Sequence, residues 1–135
     1  MVESGIAGVV DMVPAGTDSV AGRITVSFSV VRGVELRGEI TGLAPGNHAF
    51  HVHEGSGTGN SCADAGPHFY PDAEQQDYNL GALETPAAGA TPVSRTAPDF
   101  TLGDGRPQDI AGRTLVVHAE ESGGARVACG IITLI

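Results

Sequence analysis

Val20-Ala21-Gly22-Arg23-Ile24-Thr25-Val26-Ser27-Phe28-Ser29-Val30-Val31-Arg32-Gly33-Val34-Glu35-Leu36-Arg37-Gly38-Glu39-Ile40 is the stretch whose pattern decides the fold class. In an extended chain Ile24, Val26, Phe28 and Val30 share one face, and Arg23, Thr25, Ser27 and Ser29 share the other. Period two marks a strand with one face on a core and one in water. The pattern resumes with Val34, Leu36, Gly38 and Ile40 on one side, and Val31-Arg32-Gly33 reads as the hairpin turn between the two strands.

Working outward, residues 6–13 form a short apolar run closed by Pro14-Ala15-Gly16-Thr17-Asp18. Downstream, 42–46 reads as a turn and 48–54 as a strand. A short strand is expected over 79–84, then an Ala/Gly/Pro turn over 86–92 and an extended stretch ending at 100–102. Clear apolar strands follow at 113–118 and 127–135. Residues 55–76 have little periodicity and many Gly, Asp and Pro; a loop of that length is uncommon unless it carries function. No helical period competes, and no internal repeat is present. Seven or eight short strands with one large loop predict a β-sandwich or barrel. The 135 residues suit one domain spanning 1–135.

Composition agrees: 20 Gly and scarce aromatics accompany many Val, Ile and Thr, as in a turn-rich all-β chain. The net charge of −9, with seven Arg and no Lys, argues against nucleic acid as a partner. An anionic small substrate stays possible, because the local field at a site matters more than net charge. No stretch is long and apolar enough to span a bilayer, so no membrane insertion is expected. The first residues, Met1-Val2-Glu3-Ser4-Gly5, lack the basic start and apolar core of a signal peptide. Cys62 and Cys129 suit either one disulfide or a pair of buried free thiols.

Five histidines carry the chemistry. His51 and His53 stand two apart in a strand and therefore face the same way, so both imidazoles can address one ion. His118 closes another strand and His68 lies in the long loop, in Gly66-Pro67-His68-Phe69. His48, three before His51, faces the opposite side of its strand. Four such imidazoles suit a late first-row metal, copper or zinc above all. Taken alone, His-x-His more often marks scattered structural histidines than a site.

The flanking residues make the pattern specific. Gly42-Leu43-Ala44-Pro45-Gly46-Asn47-His48-Ala49-Phe50-His51-Val52-His53-Glu54 resembles the copper-ligand strand of the Cu/Zn superoxide dismutases. Cys62 and Ala65-Gly66-Pro67-His68-Phe69-Tyr70-Pro71 resemble that family's disulfide loop and bridging-histidine motif. Gly112-Arg113-Thr114-Leu115-Val116-Val117-His118 and Arg126-Val127-Ala128-Cys129-Gly130-Ile131 resemble its last ligand strand and its active-site arginine with the second cysteine. The four motifs stand in the family's order.

The resemblance implies an eight-stranded Greek-key β-barrel, an immunoglobulin-like sandwich. It implies one copper ion held by His51, His53, His68 and His118, with Arg126 guiding superoxide and His68 as the mobile, proton-carrying ligand. It implies a Cys62–Cys129 disulfide and a structural role for His48. The activity implied is dismutation of superoxide by Cu(II)/Cu(I) cycling, with a copper-binding or copper-delivery protein of little activity as the alternative.

Two departures refine this. No histidine lies between His68 and His118, and Asn79-Leu80-Gly81-Ala82-Leu83 stands where zinc ligands would be expected, so no zinc is expected. Only seven residues, 119–125, separate His118 from Arg126, where the family has a long electrostatic loop. Both features resemble the family's copper-only branch, whose members are mostly secreted or on the cell surface; an extracellular, cell-surface or periplasmic location is the corresponding expectation, with the cytoplasm as the alternative. Without zinc, the outer ring nitrogen of His68 needs another partner. A carboxylate is expected there, from Asp72, Glu74, Asp77 or Glu84, with Glu84 preferred.

Overall fold

The computed structural model describes residues 6–16, 19–70, 80–121 and 123–135. Strands β1 (Ile6–Pro14), β2 (Ala21–Ser29), β3 (Gly33–Thr41), β4 (Gly46–His53), β5 (Ala82–Thr85), β6 (Thr91–Ala97), β7 (Thr114–Glu120), β8 (Gly123–Ile131) and the short β9 (Thr133–Leu134) make up the fold. Hydrogen-bonded neighbours run in the order β5-β4-β7-β8-β1-β2-β3-β6, all antiparallel, with β9 added to β1. This is a nearly closed eight-stranded barrel. No helix among the described residues is long and apolar enough to cross a membrane.

The expected hairpin forms, with Val26 opposite Leu36 and Ile24 opposite Gly38. Ile24, Val26, Val34, Leu36 and Ile40 are all buried in the main core, so the period-two pattern is a true inner face. β2 stops at Ser29, however, and the turn begins at Val30. Val30 and Val31 are 90% and 80% exposed because the hairpin tip projects past the barrel wall.

Three other boundaries differ from expectation. The strand after the 86–90 turn is Thr91–Ala97, and 100–102 lies in the following loop, where Phe100 and Leu102 plug the core. β5 begins at Ala82, and the expected start at Asn79 falls outside the described residues. β8 begins at Gly123 because a tight turn returns the chain directly from β7, pairing Glu120 with Gly123.

The two edge strands, β5 and β6, are stitched by side chains. Thr85 and Thr91 hydroxyls bond at 2.7 Å, and Arg95 donates to the carbonyls of Leu80 and Ala82. Satisfying these backbone groups blunts an edge that would otherwise pair with another chain.

The loop after β4 is held against the outside of the barrel. Glu54 N–H donates to Pro67 O at 2.9 Å and Gly55 N–H to Ala65 O at 2.7 Å. Gly55 is required there: a Cβ would come within 2.6 Å of Asp64 O. The loop passes through Asn60, Ser61 and Cys62 with φ of 53°, 55° and 69°, a left-handed run that side chains adopt at a cost. A disulfide from Cys62 to Cys129 on β8 fastens that run. Both cysteines are buried with Ala65 and Val116 in a small second core between loop and barrel.

Candidate metal centre

Alternation along β4 separates packing from chemistry. His48, Phe50 and Val52 face inward, and Phe50 and Val52 join the core. His51 and His53 face outward, beneath the loop, opposite Val116 and Thr114 of β7. A register shift on β7 lies between Val117 and His118 and sets His118 opposite Arg126 of β8. Thr114 fixes the start of the loop, donating to Gly55 O at 2.8 Å and accepting from Gly57 N–H at 3.2 Å.

His68 arrives on the loop as a one-bridge extension of the sheet. It pairs antiparallel with His53, and Phe69 N–H donates to Val52 O at 2.9 Å. Phe69 is buried and stacks at 6.1 Å on Phe100, with the Arg113 guanidinium 3.7 Å over its ring. His68 is therefore placed by its buried neighbour.

The four rings converge. One nitrogen from each of His51, His53, His68 and His118 lies within 4.8 Å of all the others. An ion with bonds of about 2.0–2.1 Å puts opposite ligands about 4 Å apart, so small inward shifts suffice.

Hydrogen bonds fix which nitrogens are free. His53 Nδ1–H donates to Gly66 O at 2.8 Å and His118 Nδ1–H to Gly124 O at 3.1 Å. In the neutral rings this leaves lone pairs on both Nε2 atoms, which face each other at 3.3 Å with no proton between them. His51 Nδ1 is buried and has no hydrogen-bond partner among the described residues. Buried lone pairs pointed at one another are costly unless a cation lies among them.

Electrostatics keep the rings in ligand form. Burial, with the neighbouring histidines, pushes His51 down to about 4. Burial does the same at His53, to about 4, and the positive charge of Arg126 adds to it. His68 and His118 are lowered for the same first reason. At neutral pH all four are unprotonated bases, as metal binding requires. Four imidazoles with no carboxylate fit copper, and both thiols are in the disulfide.

Arg126 borders the cluster, donating from Nη1 to Cys62 O at 2.8 Å and from Nη2 to Gly66 O at 2.7 Å. Beside it opens a shallow cleft of about 520 Å³, lined by Ser61, Ala63, Gly124 and Ala125. Small side chains and the short β7–β8 turn leave this approach wide. His48 stands apart: its Nδ1 lies 2.8 Å from His118 O and its Nε2 2.6 Å from Ala44 O, so it braces two segments.

Glu84 is not brought to His68. It shares the outer face with His51 but stands opposite Asn47, four residues along β4 and about 13 Å away. Its side chain points to solvent. Among the described residues, the partner of His68 Nδ1 is instead the Tyr70 hydroxyl, at 3.0 Å. The signal was present in the sequence as His68-x-Tyr70, two residues sharing one face of an extended segment. Asp72, Glu74 and Asp77 lie outside the described residues.

The family profile described as copper/zinc superoxide dismutase (SODC) matches residues 20–132. An extracellular Cu-Zn superoxide dismutase of Haemonchus contortus is 31% identical, over 95% of this chain and 74% of its own. A Cu-Zn superoxide dismutase of Onchocerca volvulus is 35% identical, over 73% of this chain and 78% of its own. A Cu-Zn superoxide dismutase of Mesembryanthemum crystallinum is 33% identical, over 88% and 90%. With the barrel, the disulfide and the four-histidine cluster in place, the chain belongs to the copper/zinc superoxide dismutase family, as a copper-dependent oxidoreductase.

Proposed function

We propose that this enzyme dismutates superoxide on one copper ion with no zinc: two superoxide and two protons give O₂ and H₂O₂. The observation that carries the copper reading is the facing Nε2 lone pairs of His53 and His118 beside the buried, unpartnered Nδ1 of His51. Zinc independence is supported by composition. All five histidines are accounted for by the cluster and His48, and both cysteines are bonded to each other. The outer nitrogen of His68 already has a hydroxyl partner.

Bound here, copper supplies one-electron redox chemistry, accepting an electron from one superoxide and returning it to a second. The chain supplies the rest. His51, His53 and His118 on β4 and β7 hold a rigid three-nitrogen frame that needs no rearrangement between the two steps. His68 would be the fourth ligand, on a loop segment, through the Nε2 that the Tyr70 contact at Nδ1 leaves free. Nε2 is also the atom that would hold a proton for the peroxide product.

Arg126 holds the anionic substrate beside the cluster by charge and hydrogen bonding. The wide cleft beside it serves as the approach. A location outside the reducing cytosol suits the disulfide. It also agrees with the extracellular naming of the Haemonchus contortus relative.

The test is metal analysis of copper-reconstituted protein beside a dismutation assay with and without zinc. One copper, no zinc and full turnover are expected. Stoichiometric copper without turnover would mean a copper-binding or delivery protein instead.

A further inference from the structure

His68 differs from the other three rings of the cluster in what orients it. His53 and His118 are locked by backbone carbonyls, and His51 is held on β4 with its Nδ1 buried. His68 is half-buried and sits on a loop, and its Nδ1 meets the Tyr70 hydroxyl at 3.0 Å. The two rings stand edge to face, 5.9 Å between centroids.

The backbone makes this contact reproducible. Residues 67–69 run antiparallel to β4 through the Glu54–Pro67 and Phe69–Val52 hydrogen bonds. In such an extended segment, residues two apart project to the same side. Phe69, between them, is sunk into the core against Phe100 and under Arg113. His68 and Tyr70 therefore leave the same side of an anchored residue, with Oη at the outer nitrogen of the imidazole.

We propose that Tyr70 is the positioning residue of the metal centre, its hydroxyl fixing the His68 ring so that Nε2 is aimed into the cluster. A hydroxyl takes this place instead of the carboxylate expected from sequence. With Oη accepting from Nδ1–H, the lone pair of the neutral ring is left on Nε2. The position of Tyr70, 36% exposed, gives it little part in the core, so the role is separable from stability.

This inference rests on the copper reading of the cluster, but its first measurement does not need copper. Tyr70→Phe removes only Oη. In metal-free protein at neutral pH, the side-chain ¹⁵N spectrum of His68 is expected to show a single tautomer in the parent and a tautomer mixture in Tyr70→Phe. On adding Cu(II), Tyr70→Phe is expected to bind about tenfold more weakly, as for loss of a partner behind a metal ligand. Its Cu(II) electron paramagnetic resonance spectrum should also be altered, at unchanged melting temperature.

Identical tautomer populations, affinity and copper spectra in the two proteins overturn the proposal. A His68 ring that averages between tautomers in the parent protein overturns it without any variant. Failure of the parent to bind copper at all would instead overturn the copper reading, while the metal-free spectra still decide the Tyr70 contact.

Discussion

Removing the Cys62–Cys129 disulfide should damage stability and the metal centre together, and the size of the first effect can be worked out. The bond closes a sequence separation of 67 residues. In the chain-entropy description a loop of that length restricts the unfolded chain by about 4 kcal/mol. A chain of this size unfolds with an entropy that turns 4 kcal/mol into a fall in melting temperature on the order of 10–15 °C. Cys62→Ala/Cys129→Ala is the suitable variant, because both positions are fully buried among apolar neighbours and neither should be left polar. The second effect follows from what the loop carries. Cys62 O and Gly66 O are the two acceptors of Arg126, and Gly66 O also orients His53. Freeing the left-handed run at 60–62 lets these carbonyls drift, so copper should bind more weakly in the variant well below its melting temperature. Thermal unfolding and copper titration of the two proteins measure both effects. A variant melting within about 3 °C of the parent, with the same copper affinity, would refute the idea that this bond holds the loop and the site.

Other expectations follow from the same geometry. Arg126→Lys keeps the charge but cannot reach the carbonyls of Cys62 and Gly66 together, so kcat/KM for superoxide should fall about tenfold at unchanged copper content; unchanged kcat/KM would remove Arg126 from the substrate path. Stability of the metal-free protein should decline as the pH falls from 6.5 toward 4. His51 and His53 stay unprotonated to about 4 in the fold, while their ordinary value is 6.5, so in that window the unfolded chain binds more protons. Denaturant unfolding at pH 7.5, 5.5 and 4.5 checks this, and a flat profile would contradict it. Glu84→Gln should leave copper affinity and turnover as they were, because Glu84 lies opposite Asn47 and not at the cluster; a loss of either would return Glu84 to the site.

Strand positions were legible where one face is purely apolar, as along Ile24, Val26, Val34, Leu36 and Ile40. β6 was harder to delimit because Arg95 interrupts the face on which Thr91, Val93 and Ala97 are buried. Val30 has the right period but lies beyond the wall of the barrel, and period alone does not say where a wall ends. The cluster of four histidines could be proposed from the motifs, yet its lock on individual nitrogens depends on the carbonyls of Gly66 and Gly124, and backbone acceptors leave no trace in side-chain identity. Tyr70 is hard to read from the sequence for a chemical reason. A carboxylate is the usual partner of a ligand imidazole, which favours Glu84 over a hydroxyl two residues away.

The most direct test of the central claim is to titrate copper into metal-free, zinc-free protein and follow superoxide dismutation at each step. The account predicts activity that rises in proportion to copper, levels off at one equivalent per chain and gains nothing from later addition of zinc. Activity that stays absent until zinc is supplied, or that never appears at one equivalent of copper, would contradict it.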